Sequence, residues 1–412
     1  MIRFLPNIYP DELLFSYLSR CYARSGYIWN SGFAKEVFET NAKNIDCTLL
    51  NILSLQFKEL IDQSIGLDKI ILEHTLFKYY ARFLPLSKRK NVFQRALRNE
   101  PFLSQHLPIP LNTNTSCLRY CPICVKEDRA TYGEAYIHAT HTIPEIITCP
   151  KHCCKLIPVE FIREKINNTS FTPIEISITD LTEDIFEESD INVKVSRYIA
   201  SAFLEPLNTS KEMIIGNFLS NKLEDKYISA RGEQRRLEIL FPDMQDFYSG
   251  LFNFNLTKSR LARIYKNSSY NPYDILLASM FQQIPPNVLC AYKGSSQPKH
   301  ILFDKRVRAM HQSGMSMNRI SLELNVNHEV IRQIIIGTYD KPKHICSTYK
   351  SQRWNWEKID DECSKEFYAR AATLDKRYIT KGTVAELFGL RDKSLRNLPR
   401  LNALVQGYKT IK

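Results

Sequence analysis

Glycine is scarce in this chain, at 13 of 412 residues. Enzymes that handle nucleotides concentrate glycine in loops that cradle phosphate, and no Gly-x-x-x-x-Gly-Lys segment occurs. His-Glu-x-x-His and Gly-x-Ser-x-Gly are missing too. These absences argue against P-loop, metalloprotease and α/β-hydrolase chemistry, and the chain is expected not to be an enzyme. No apolar run reaches the length of a membrane span, and the opening Met-Ile-Arg-Phe-Leu-Pro lacks the apolar stretch of a leader peptide. Cysteine is present, but its count of 11 is odd, which fits a reducing compartment better than a disulfide framework. A cytoplasmic protein without membrane contact is therefore expected.

What is abundant is positive charge in one place. The net charge is +12, and residues 291–412 hold 23 Lys and Arg against 12 Asp and Glu, a net +11. Segment 171–190 is the reverse, with seven acids and no base. A basic terminal region on a near-neutral body points to a polyanionic partner, most simply double-stranded DNA.

Two knuckles, Cys121-Pro-Ile-Cys124 and Cys149-Pro-Lys-His152, lie 24 residues apart. Each puts two soft ligands on one tight turn, and two such pairs close a tetrahedron around one Zn2+ ion. A Cys3His shell leaves no open position for water, so the site reads as structural rather than catalytic. Cys117, Cys153, Cys154, His138 and His141 are nearby alternatives as ligands. His152 is preferred because it repeats the two-residue spacing of the first knuckle.

The chain is read as mainly α and multidomain. Residues 1–110 form an N-terminal helical domain, starting with a helix signalled by Pro10-Asp11-Glu12 and stopped by Gly26. Residues 111–160 form a small α+β zinc-finger module and 161–290 a helical middle region. Pro285-Pro286 and Lys293 to Pro298 read as the clearest linker. Beyond it, 291–345 has the spacing of a helix-turn-helix. One helix runs Asp304 to Gln312 and a second follows Ser316 as N-cap. The turn Asn325-Val326-Asn327 leads to a third, His328 to Ile336, stopped by Gly337. The third would enter the major groove with His328, Glu329, Arg332 and Gln333 outward, and Arg319 beside them on the second. Arg pairs with guanine and Gln with adenine. Residues 346–412 hold a second copy of the pattern, with Trp354 and Trp356 anchoring its core. Arg391, Lys393 and Arg396 project there from a helix carrying Leu395 and Leu398.

Phe4-Leu5-Pro6, the run Pro10 to Arg20, Arg119 to Cys124, Tyr132-Gly133-Glu134, Pro144 and Cys149 to His152 together resemble the TniQ/TnsD family. Glu73-His74-Thr75-Leu76-Phe77 resembles its TnsD branch. The resemblance is sharp over about 1–160. It implies a target-site selector for a transposon that recognises a chromosomal attachment site. Its partners would be a TnsC-like AAA+ ATPase regulator and, through it, a transposase. The shorter TniQ branch implies the alternative, an adaptor linking transposition proteins to an RNA-guided effector.

Overall fold

The structure, a computed structural model, describes residues 2, 5–39, 46–101, 103–109, 118–159, 171, 174–228, 235–292, 294, 299–324, 326–336, 356–372, 379–390 and 392–410. Phe4, Cys117, Lys293, Pro298, Asn325, Gly337, Trp354 and Arg391, named above, lie outside them. Helix dominates, and the strands among the described residues are one antiparallel pair, Arg119–Tyr120 against Ile157–Pro158. The chain divides into two compact units, one of residues 1–228 with 235–298, the other built on 299–412.

In the first unit one continuous apolar core runs from Ile2 to Cys290. The segments 1–110, 111–160 and 161–290 all contribute to it. Helix Leu14–Ser25 stops at Gly26, whose φ of 76° lies in the left-handed region. Its start departs from the sequence expectation. Pro10-Asp11-Glu12 are not its first turn, because their backbone is taken by the segment before the second knuckle. Leu13 N donates to Ile137 O at 2.8 Å and Ala139 N donates to Asp11 O at 2.6 Å, while Asp11 adopts a φ of 54°. Two buried arginines tie the early helices to the middle region by donating to backbone carbonyls. Arg82 reaches Glu205 O and Pro206 O at 2.6 and 3.0 Å. Arg89 reaches Lys211 O at 2.8 Å.

Helices Ile191–Leu204, Lys258–Tyr265, Pro272–Phe281 and Pro286–Ala291 complete this unit. Pro285-Pro286 is not a linker. Pro285 is the N-cap and Pro286 the first residue of a helix that buries Leu289 and Cys290, a use of proline that costs no hydrogen bond.

The second unit has two small cores. Val307, Ile320, Val326, Ile331 and Ile334 fill the first, between helices Lys299–Gln312, Met317–Glu323 and His328–Ile336. Ser316 caps the middle helix and Asn327 the third, accepting from Glu329 N at 2.8 Å. Helices Trp356–Ala371, Lys381–Leu387 and Pro399–Thr410 enclose the second core, which includes Phe367, Val384, Phe388 and Leu401. Thr380 and Thr383 cap each other reciprocally. The expected helix carrying Lys393 and Arg396 is instead a 3-10 segment, Asp392–Asn397. Pro399 stops an α-helix from running through, since it disfavours helical backbone at Leu398. The helix that begins at Pro399 is capped from a distance: both oxygens of Asp360 accept, from Arg400 N and Leu401 N, at 2.9 Å.

Candidate functional site

Local rules set each member of the Cys3His cluster. Cys121 is the extended N-cap of helix Pro122–Tyr132, with Pro122 as its first residue and Cys124 in its first turn. The helix ends at Gly133, at a φ of 82°. The second knuckle is a tight reversal. Cys149 N donates to Cys154 O at 2.6 Å, Cys153 N donates to Cys149 O at 2.9 Å, and Cys153 turns the chain at a φ of 57°.

These turns bring Cys121, Cys124, Cys149 and His152 together, with their ligand atoms within 4.8 Å of one another. The sulfurs of Cys124 and Cys149 are 3.7 Å apart. Nδ1 of His152 lies 3.6, 3.3 and 3.6 Å from the sulfurs of Cys121, Cys124 and Cys149. A tetrahedral zinc with bonds of about 2.3 Å to sulfur and 2.0 Å to nitrogen has edges of about 3.8 and 3.5 Å. The cluster is compatible with one zinc ion in spacing and in donor chemistry. Hydrogen bonds from Cys121 and Cys124, then from the backbone of His152 and Lys151, pull the Cys149 thiol down to about 3. Hydrogen bonds with Cys121 and Cys149 push the Cys124 thiol up.

The alternatives weighed from sequence lie elsewhere. Cys153 accepts from Arg197 Nη2 at 3.1 Å. His138 faces Asp128 at 3.0 Å and Asp11 at 3.7 Å. Burial disfavours its charged form, but hydrogen bonds to Asp11 and Asp128 outweigh that and raise His138 to about 9. Burial pushes the neighbouring His141 the other way, down to about 3. Cys154 is fully buried beside the cluster, outside the four.

Sequence reasoning missed the support around these ligands. Glu127 Oε1 lies 3.2 Å from Nε2 of His152, the position of a carboxylate that fixes a ligating imidazole. Its place three residues after Cys124 on the same helix was the available signal. A second network joins residues of the motifs that carry the family resemblance. Buried Arg20 pairs with Glu12 at 2.6 Å and Glu134 at 2.9 Å, and lies 3.6 Å from the centre of the Tyr9 ring. Tyr9 donates to Glu134 at 2.9 Å and stacks on Tyr132. Burial raises the Glu12 carboxyl to about 7 despite the attraction of Arg20. His74 Nδ1 is 2.7 Å from Glu12 O, so His74 serves the core.

In the second unit His328, Glu329, Gln333, Arg319 and Arg396 are exposed. Lys393 falls in the 3-10 segment, and its side chain lies outside the described residues. Arg332 is not free on the surface. It is 25% exposed, and it donates to Glu329 from Nε and Nη2 at 2.8 Å and to Glu386 from Nη2 at 3.1 Å.

Among the described residues no helix is long and apolar enough to cross a membrane. Residues 3–156 match the TniQ family model. The Escherichia coli protein "Transposon Tn7 transposition protein TnsD" is 26% identical over 156 residues, 37% of this chain and 30% of that protein. The chain thus spans less than a third of that relative's length. The matched stretch holds both knuckles and the motifs that meet at Arg20, and over this N-terminal region the chain is similar to the TniQ family and to TnsD.

Proposed function

We propose that this protein is a non-catalytic target-site selector in transposition, which reads a DNA attachment site and recruits an AAA+ ATPase regulator and, through it, a transposase. The observation that carries the reading is a TniQ-matching region on the same chain as a basic, N-capped helix-turn-helix pattern. In this reading the Cys3His cluster holds one structural zinc ion. The ion fixes the Pro122–Tyr132 helix against the second knuckle, and with it Glu134 and the Arg20 network. The N-terminal region then docks the ATPase, while 299–412 contacts DNA through Arg319, Arg332, Gln333 and Arg396, with His328 and Glu329 on the same helix face and Arg391 and Lys393 in the second module.

The test is footprinting on genomic DNA carrying candidate insertion sites. A discrete footprint that weakens steeply with salt is expected, because each phosphate contact releases counterions. Binding that is flat in salt and without site preference contradicts the reading. One observation favours the second reading, an adaptor to an RNA-guided effector: Arg332 is engaged by two carboxylates, which weakens intrinsic DNA reading. Removing 299–412 separates the two, since a reader loses all site preference and an adaptor still docks its partner.

A further inference from the structure

Arg332 and Glu386 are 54 residues apart and belong to two differently cored bundles of the second unit. The guanidinium is used in an ordered way. Its Nε and Nη2 donate side-on to the two oxygens of Glu329, at 2.8 Å each, one turn earlier on the same helix. Glu329 also accepts from Gln333 Nε2 at 3.4 Å, so this carboxylate orients both side chains suited to reading bases. The side-on pair uses one hydrogen of Nη2. The other points to Glu386, whose oxygens lie 3.1 and 3.2 Å from Nη2. An arginine reads guanine or grips a phosphate end-on, with the remaining Nη2 hydrogen and one from Nη1. Glu386 therefore occupies half of the fork that DNA needs, while Glu329 leaves that fork open. The two carboxylates also hold Arg332 above its ordinary pKa, by hydrogen bonds from Glu329 and then Glu386.

We propose that Glu386 is an internal competitor for DNA: its carboxylate stands where a guanine edge or phosphate oxygen would bind Arg332, and DNA recognition requires that it be displaced. Glu329 is then the positioning residue that keeps Arg332 aimed once Glu386 leaves. The proposal rests on the reading of 299–412 as a DNA-binding region. Glu386 is 59% exposed, so the contact is weak enough to open. Exposed ion pairs shift equilibria by no more than about fivefold, which suits a threshold that a correct site overcomes and random DNA does not.

The experiment measures binding of the full chain to a random-sequence pool of double-stranded DNA and to the sites selected from it. Glu386→Gln keeps the shape and removes the charge, and about twofold to fivefold tighter binding to the pool is expected. Glu386→Ser should give the same gain. In an Arg332→Ala background neither substitution should change affinity, because the competitor has lost its target. An equal gain in that background shows that Glu386 acts only as bulk negative charge and overturns the proposal. So does unchanged binding by Glu386→Gln in a chain that otherwise binds DNA. If no variant binds the pool or any selected site, the DNA-reading function itself fails, and this inference with it.

Discussion

In the first unit Glu12 and Arg20 are 0% and 3% exposed and face each other at 2.6 Å; in the second, Arg319 and Arg396 lie on the surface. The same kinds of side chain do different work. Around Arg20, charge is buried, fully paired and framed by Tyr9 and Tyr132, and it locks the start of the chain onto the knuckle region. In the second unit two small apolar cores are helped by buried Asp360, which caps a helix, while Arg319 and Arg396 stay on the surface. One pattern of charge fixes a scaffold, and in the proposed function the other meets DNA, so perturbing each should give opposite signatures in stability and affinity.

The largest expected effect is at the metal cluster. Stripping zinc with a chelator, or Cys149→Ser, should unfold the knuckle region, because zinc supplies about 10 kcal/mol or more to such sites. Limited proteolysis across 118–159 reads this, and unchanged protection after chelation contradicts a structural ion. Next is the buried pair. Glu12→Ala strands Arg20 and should cost about 3–5 kcal/mol in a denaturation experiment. A cost below about 1 kcal/mol places the pair among ordinary surface bridges.

A smaller effect is pH-dependent. His138 is raised to about 9 by its carboxylate partners, so the folded state holds a proton that the unfolded state releases near its ordinary value of 6.5. The stabilisation is complete below about 6.5 and is lost as pH rises through about 9, a span of up to about 3 kcal/mol. His138→Gln should flatten melting temperature over that window. The smallest stability effect belongs to the second unit. Arg319→Ala should change stability by less than about 0.5 kcal/mol yet reduce the salt dependence of DNA binding by about one phosphate contact. If Arg319→Ala destabilises like Glu12→Ala, the contrast between the units collapses.

The legibility of the sequence follows the same division. The four ligands were readable because two-residue spacing on a tight turn is a local constraint, and the structure folds both turns as such. Ser316 was readable as a cap and Asn327 as a turn residue for the same reason. Longer-range effects were not. The start signal at Pro10 was overridden by pairing with Ile137 and Ala139, more than a hundred residues away. Pro285-Pro286 looked like a linker because its burial depends on the distant core. The second recognition helix became a 3-10 segment, since Pro399 and the capping Asp360 placed the helix start after Leu398. The Arg332 contact with Glu386 had no sequence signal, because the two bundles had to fold before their surfaces could meet.

The most direct test of this division of labour is a footprint on genomic DNA made with the full chain and with a chain lacking 299–412, each with zinc retained. The account predicts a discrete, salt-sensitive footprint for the first and none for the second, with the protease resistance of 118–159 equal in both. A footprint that persists unchanged without 299–412 would place DNA recognition in the metal-bearing unit and contradict the account.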